Sequence, residues 1–284
     1  MNLSVLSLLL ITVIWGWTFV LIKQGMSQVG PFTFLAVRFA IALAVLVLLF
    51  MKHLKRISIR SVLSGTMVGV ALFLGYLFQT WGLVYTTATK SGLLTGLSVV
   101  IVPIASSLLF GKRVRLLVWF GALLAAAGLI LLVAGNGQFG ALNKGDLLTL
   151  LCAVSFALHI ILVDRYVRTT DYRQLLLVQV AAVALFSIIG AGAVERFAFV
   201  LSFSVVEGVL IAGVLATALA YYVLNRFQSA STASYTAIIL TMEPVFAGIF
   251  GFVLLGEKLG AWQLVGSIMI LIGMIIPSVW KQTA

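Results

Sequence analysis

Long apolar stretches dominate this sequence and constrain its fold more than any other feature. A helix needs about 20 mostly apolar residues to cross the hydrocarbon core of a bilayer. The stretches near this length number ten, and they cover 3–22, 32–51, 61–81, 89–110, 116–135, 147–163, 175–194, 206–224, 232–254 and 262–280. They lack the alternating pattern of a membrane β-barrel, and a bilayer offers no water to unpaired backbone groups. The sequence therefore predicts an all-α integral membrane protein with ten transmembrane helices.

The charged residues are too few to cover the surface of a soluble domain. Only 9% of the 284 residues are charged and 63% are hydrophobic, whereas a typical soluble domain has about 25% and about 45–50%. The single cysteine, Cys152, can form no intramolecular disulfide. This composition excludes a soluble enzyme, a disordered chain and a disulfide scaffold, and it makes the lipid bilayer the expected partner.

The net charge of +11 reflects an uneven distribution of basic residues among the loops. With the amino terminus in the cytoplasm, twelve of the 18 basic residues fall in cytoplasmic loops or the tail, and four fall in outer connections. This is the positive-inside bias of membrane proteins. We therefore expect a multi-pass protein with both termini in the cytoplasm and no binding of nucleic acid. The first stretch has no basic region before it, and we expect it to be retained rather than cleaved.

The two halves of the sequence are similar at a nearly constant offset. A shift of 145 residues aligns 87–92 with 232–237, and it pairs Tyr76 with Tyr221, Gly121 with Gly266 and Gly128 with Gly273. Five spans per copy is an odd number, so the second copy must enter the membrane inverted, as in many secondary transporters. The sequence thus predicts two inverted five-helix repeats, residues 1–140 and 141–284.

Glycines and prolines within the predicted helices suggest close packing and kinks. Gly121 and Gly128 are separated by nearly two helical turns, and so are their counterparts Gly266 and Gly273, so each pair lies on one helix face. Small residues let membrane helices approach closely, and we expect helix packing at these four positions. Pro103 and Pro244 each remove a backbone hydrogen bond, so kinks are expected in the fourth and ninth helices.

Short motifs along the whole chain resemble those of the EamA-type members of the drug/metabolite transporter superfamily. The most specific is Glu243-Pro244 followed by Gly256-Glu257-Lys258. The other matching residues are Ile14-Trp15-Gly16, Arg38-Phe39, the Thr-Ala stretch that opens the fourth helix, Gly266 and Gly273. The first copy departs from the pattern at Val99 and at Lys112-Arg113. The resemblance implies a carrier of the bacterial inner membrane that exports small metabolites such as amino acids, amines or toxic compounds.

Charged residues inside the predicted spans are the first candidates for a binding site, because each costs about 2.5–3.5 kcal/mol on insertion scales. Glu243 is the one carboxylate in the middle of a predicted span, where it could carry a proton, bind a substrate ammonium group or serve as a structural carboxyl. Arg38 could bind a substrate carboxylate, pair with Glu243 or extend to the outer interface. Lys90 begins the fourth helix, where reaching the interface is easier.

Uncharged polar and aromatic residues complete the set of candidates. Gln79 and Gln179 can hydrogen-bond across helices, and His159 can act as a proton relay or simply pack. Asp146 and Asp164 lie at span ends, where we expect solvent. Five aromatic residues are candidates to line a pocket for a flat or cationic substrate, namely Trp15, Trp17, Tyr76, Tyr221 and Tyr235.

The motifs of several enzyme classes do not occur in this sequence. It has no Gly-x-x-x-x-Gly-Lys phosphate loop, no His-Glu-x-x-His metal site and no Gly-x-Ser-x-Gly nucleophile elbow. We therefore expect no catalytic residues, metal or cofactor, and a secondary carrier, monomeric or homodimeric, that moves a small molecule by alternating access. A facilitative uniporter or channel-like pathway is the main alternative, and a membrane enzyme acting on lipid or a scaffold fits less well.

Overall fold

The regular structure in the described part of the chain is helical throughout. The structure is a computed structural model, and it describes residues 3–54, 57–111, 116–134, 143–229, 236 and 239–279. No strand occurs among these residues. In chain order, helices α1 to α12 are Leu3–Gly25, Pro31–Leu54, Ile59–Leu83, Ala88–Gly96, Ser98–Phe110, Leu116–Ala134, Lys144–Tyr166, Tyr172–Gly190, Phe203–Gly213, Ala220–Gln228, Glu243–Leu255 and Ala261–Val279. Short π-helical turns follow α8, at Ala191–Glu195, and join α9 to α10, at Val214–Leu219.

Seven helical segments of this part of the chain are long and apolar enough to cross a membrane. They are Leu6–Gly25, Pro31–Leu54, Ile59–Leu83, Ala88–Leu109, Lys144–Tyr166, Tyr172–Glu195 and Phe203–Gln228. Three shorter apolar helices accompany them, at Trp119–Leu132, Glu243–Leu255 and Ala261–Ile276. The all-helical prediction is confirmed for the described residues. The count of ten spans stays a prediction, because much of the first half of the expected ninth span lies outside them.

Polar and apolar side chains are distributed as a bilayer requires. Large apolar side chains such as Leu48, Leu123 and Phe203 are exposed on the outside. Arg38, Gln179 and Asn225 are fully buried inside. A soluble protein rarely exposes so continuous an apolar surface, whereas lipid covers such a surface without cost.

Two interruptions divide the predicted fourth and ninth helices. The fourth breaks at Leu97, between α4 and α5, and α5 continues through Pro103, so the break lies earlier than the proline that was expected to cause it. At Leu97 the amide donates to the Leu94 carbonyl, a tighter turn than the α-helical one. The chain also turns at 241–242, and Pro244 occupies the first turn of α11, where its missing amide is not needed.

Glycines bring the backbones of α6 and α12 into contact. A Cβ added at Gly128 would lie 2.6 Å from the carbonyl oxygen of Gly266. One added at Gly273 would lie 2.6 Å from the carbonyl oxygen of Gly121. Such distances are too short for any real Cβ, so this close approach of α6 and α12 depends on glycine.

Candidate functional site

A narrow cavity in the interior collects most of the residues singled out in the sequence. Water can occupy about 50 Å³ of it, and one buried water needs roughly 10–15 Å³. In this conformation the cavity thus holds a few waters, and a metabolite requires the helices to move. The candidate residues that line it are Trp15, Arg38, Tyr76, Gln79, His159, Tyr221 and Glu243.

Arg38 is the buried cation of this cavity. Its side chain is fully buried in the middle of the helix bundle, so the alternative that it extends to the membrane interface is wrong. Its Nε donates to Thr217 Oγ1 at 2.8 Å, its Nη2 donates to Tyr76 Oη at 3.1 Å, and Nη1 has no hydrogen-bond partner among the described residues. The guanidinium also lies 4.3 Å from the centre of the Tyr76 ring, a cation–π contact that partly compensates its charge.

Glu243 is the carboxylate of the same cavity and the first residue of α11. Its carboxylate forms no hydrogen bond or ion pair with any residue of the described ranges. The ion pair with Arg38 that the sequence allowed is therefore not formed in this conformation. The first amides of a helix favour negative charge, which helps α11 to tolerate a carboxylate at its start. The cavity thus has one cation and one anion that do not neutralise each other by direct contact.

Two tyrosines meet at the cavity wall. The hydroxyl of Tyr221 donates to the hydroxyl of Tyr76 at 3.0 Å, and the Tyr76 hydroxyl accepts from Arg38 as well. Each ring has an aromatic neighbour, Phe156 at 5.2 Å from Tyr76 and Trp15 at 5.6 Å from Tyr221. Trp15, Tyr76 and Tyr221 thus line the cavity with aromatic rings, and their contact with a substrate stays a prediction.

A chain of buried polar groups supports His159 behind the cavity. The amide of Asn225 donates to the backbone carbonyl of Tyr221, which can only accept. Asn225 Oδ1 therefore accepts from Gln179 Nε2 at 3.1 Å, and Gln179 Oε1 faces His159 Nε2 at 2.9 Å. Because an amide oxygen cannot donate, His159 Nε2 must carry the proton. The carbonyl of Tyr221 thus fixes the tautomer of His159 and leaves Nδ1 as its acceptor.

The remaining charged candidates lie away from this cavity. Lys90 pairs with Asp146 at 3.5 Å, and neither lines the cavity. The expectation that Asp146 sees solvent is wrong, because its carboxylate accepts from Thr86 and, with Asn143, caps the start of α7, which leaves it 1% exposed. Asp164 is 21% exposed and pairs with Arg168 at 2.9 Å.

Gln79 and Tyr235 are two further candidates from the sequence. Gln79 lines the cavity and donates to Thr95 Oγ1 at 3.4 Å. Tyr235 lies outside the described residues.

Two glutamates outside the cavity bind the first amides of other helices. Glu257, which follows α11, accepts from the amides of Ala88 and Thr89 at 2.8 and 2.9 Å. Glu195, which follows α8, accepts from the amides of Phe32 and Thr33 at 2.9 and 2.8 Å. We call these two contacts the carboxylate clamps. In the sequence, Glu257 stood out only as part of a family motif, and no pattern pointed to Glu195.

Several neutral residues of the site carried no sequence signal of their own. Thr217 holds Arg38, Asn225 orients Gln179, and Ser98 lines the cavity with Phe156. Threonine, serine and phenylalanine are common in membrane helices, so their position becomes informative only once the helices are packed. This arrangement can bind a small molecule through a guanidinium, a carboxylate and aromatic faces.

The chain is similar to known proteins along almost its whole length. The sequence profile of the EamA-like transporter family matches residues 2–134 and again residues 143–279. A protein of Archaeoglobus fulgidus named as an uncharacterized transporter is 36% identical over 96% of this chain and 85% of its own. The uncharacterized inner membrane transporter YedA of Escherichia coli K12 is 26% identical over 90% of this chain and 85% of its own. A crystal structure with 19% identity superposes with a TM-score of 0.71 over 97% of both chains, which shows the likeness of fold.

Proposed function

The chain belongs to the EamA-like transporter family, and from this premise we propose that it is a secondary transporter that exports small metabolites by alternating access. Its relatives are named transporters, which favours transport over an enzymatic reaction. We propose further that it resides in a bacterial inner or plasma membrane with both termini in the cytoplasm. The distribution of basic residues among its loops supports this orientation.

The proposed architecture is ten helices in two inverted repeats, residues 1–140 and 141–284. Contacts between positions related by the shift of 145 support it. Tyr76 and its counterpart Tyr221 hydrogen-bond to each other, as expected for equivalent residues beside a two-fold axis. Gly128 contacts Gly266 and Gly121 contacts Gly273, and exchanging the two copies turns one contact into the other.

The interruptions of the helices also fit two repeats. Leu97, at the break between α4 and α5, and Met242, just before α11, are separated by the same 145 residues. Ser98 and Glu243 follow them directly, and both line the cavity. Two halves that face opposite sides of the membrane and can exchange conformations are the usual basis of alternating access.

The observation that carries the proposed function is a cation and an anion in one narrow interior cavity, neither of which forms an ion pair within the described part of the chain. Charges inside a membrane protein are costly and mark substrate or ion pathways. Arg38 suits a carboxylate group of the substrate and Glu243 suits an ammonium group, so an amino acid or a related amine fits both. Glu243 is also the group that we propose carries the coupled proton.

Transport by the purified protein in liposomes tests this proposal. Labelled amino acids and amines are loaded, a pH gradient is imposed, and efflux is measured for the wild type and for Glu243→Gln. We expect the pH gradient to accelerate efflux by the wild type only. The glutamine keeps the size of the side chain and removes the proton that it would carry.

The matched control is Glu207→Gln, because Glu207 is an acid of α9 that does not line the cavity. This variant should keep the response to the pH gradient. Transport by the wild type without any response to pH would support a facilitative uniporter instead. A pH response that survives in Glu243→Gln would remove Glu243 from the coupling role.

A further inference from the structure

The π-helical turn between α9 and α10 contacts two residues of the cavity. In this turn the amide of Ala220 donates to the carbonyls of Leu215 and Thr217 rather than to that of Ala216. The Ala216 carbonyl instead accepts the indole N–H of Trp15 at 2.7 Å. Single π-helical turns inside α-helices often occur at functional sites. Here the altered register frees a backbone acceptor for a side chain that lines the cavity.

The same turn fixes the guanidinium of Arg38. Thr217 donates from its hydroxyl to the Ala212 carbonyl at 2.7 Å, so its oxygen is held with a lone pair available to Arg38 Nε. Tyr76 holds Nη2 from the other side. Two of the three nitrogens are therefore used by the protein. Nη1 is the nitrogen that is left, and it is buried without a partner.

A buried cation without a carboxylate partner is an expensive feature. Among the described residues no acid lies within ion-pair distance of Arg38. Removing such a charge from water is costly unless a counter-charge and hydrogen bonds replace the water. The protein supplies two hydrogen bonds and a ring face, and no counter-charge in direct contact. The missing contribution is an anionic group that accepts a hydrogen bond from Nη1.

We propose that Thr217 is a positioning residue that fixes Arg38 as the anion-binding group of the cavity, with a carboxylate of a small molecule as the group that Nη1 binds. This inference rests on the proposed function only in taking the cavity as the substrate site. A carboxylate fits because it is planar, accepts hydrogen bonds from a guanidinium in fixed geometry, and is small. In the present conformation only a fragment of a metabolite has room.

Acetate is the matching probe, because it is little more than a carboxylate and suits so small a space. The thermal unfolding of the purified full-length protein in detergent is measured with increasing sodium acetate, against sodium chloride at the same ionic strength. A ligand that binds only the folded state raises its stability by an amount that grows with the logarithm of the ligand concentration above the dissociation constant. We expect acetate to stabilise the wild type more than chloride does.

The decisive comparison is between Thr217→Val and Thr217→Ser. Valine keeps the shape of threonine and removes the oxygen that holds Nε, so the same acetate-specific stabilisation should need about tenfold more acetate, the equivalent of one hydrogen bond to a charged group. Serine keeps the oxygen and should behave as the wild type does. Arg38→Gln should abolish the difference between acetate and chloride.

Two outcomes would overturn the inference. One is a wild type that responds equally to acetate and chloride. The other is an unchanged acetate response in Thr217→Val. Failure of the proposed function looks different, because it would appear as absent metabolite transport in liposomes while the acetate response and its dependence on Thr217 persist.

Discussion

The hydrogen bonds behind the cavity depend on single atoms, and Gln179 is the residue on which they converge. It accepts from His159 and donates to Asn225, and all three side chains are almost completely buried. The network ends on a backbone carbonyl, so none of its amides can reverse without losing a bond. Such a network supports the wall of the cavity because it holds His159 in one tautomer and one orientation.

Replacing Gln179 with leucine should destabilise the protein by about 1–3 kcal/mol, because His159 and Asn225 then keep buried polar atoms without partners. Unfolding of the purified protein in mixed micelles measures the loss. His159→Phe combined with Gln179→Leu removes one of those orphaned groups, so the double variant should lose less than the sum of the single variants. Strictly additive losses would show that the contact between the two side chains contributes nothing.

At this scale the sequence singles out some of the residues that line the cavity and misses others. Arg38 and Glu243 were predicted because a charge in an apolar helix is rare and costly. Whether the two side chains form an ion pair was not predicted, because the distance between two helices depends on packing that no local pattern encodes. Thr217 was missed for a related reason: a threonine becomes a positioning residue only where a π-helical turn directs it at a guanidinium.

Among the elements, α6 and α12 form the contact that depends most on glycine. The carbonyl of Gly128 and the position of a Cβ on Gly266 would be only 2.5 Å apart. The spacing of the glycines predicted one packed face on each helix. It could not predict that the two faces contact each other, because which helices pack together depends on all the helices of the bundle.

Gly266→Leu should therefore destabilise the protein, by about 1–3 kcal/mol or more, since the added side chain forces α6 and α12 apart. The control is Gly192→Leu, because a Cβ at Gly192 meets no atom within 4 Å. Thermal unfolding in detergent compares the two variants with the wild type. Equal stability of both would mean that the helices separate without cost.

Apart from the start of the ninth span, which lies largely outside the described residues, hydropathy predicted the helix boundaries to within a few residues. It did not predict the interruption of the fourth helix. The break at Leu97 precedes Pro103, and α5 runs through the proline. Membrane helices tolerate proline where neighbouring groups satisfy the freed carbonyl. A break whose cause lies in the surrounding helices has no local sequence signal.

At the scale of the whole molecule, the two carboxylate clamps lie at one end and join the two halves of the sequence. Lys23, near the end of α1, donates to the carbonyls of Leu83 and Thr86 at the end of α3, so the starts of α2 and α4 are at the same end. Glu195 and Glu257, from the second half, bind those starts. A movement that separates the two halves at this end must break both clamps.

Cys152 provides a natural reporter of that movement. It is the only cysteine of the chain, it is fully buried, and its Sγ lies 3.7 Å from the hydroxyl of Thr95, which lines the cavity. Replacing both clamp carboxylates with amides, in the double variant Glu195→Gln and Glu257→Gln, removes charged acceptors that are each worth about 1.5–3 kcal/mol. The cavity should open more often, and N-ethylmaleimide should modify Cys152 at least about tenfold faster.

The rate is measured by mass spectrometry well below the unfolding temperature of each variant, so that global unfolding does not contribute. Asp164→Asn is the control, because it removes an acid whose partly exposed pair with Arg168 lies on the surface, away from both clamps and the cavity. It should leave the rate unchanged. A double variant with the wild-type rate would mean that the clamps stabilise the helix starts without closing this end. A faster rate would show that the clamps keep the cavity closed at this end of the molecule.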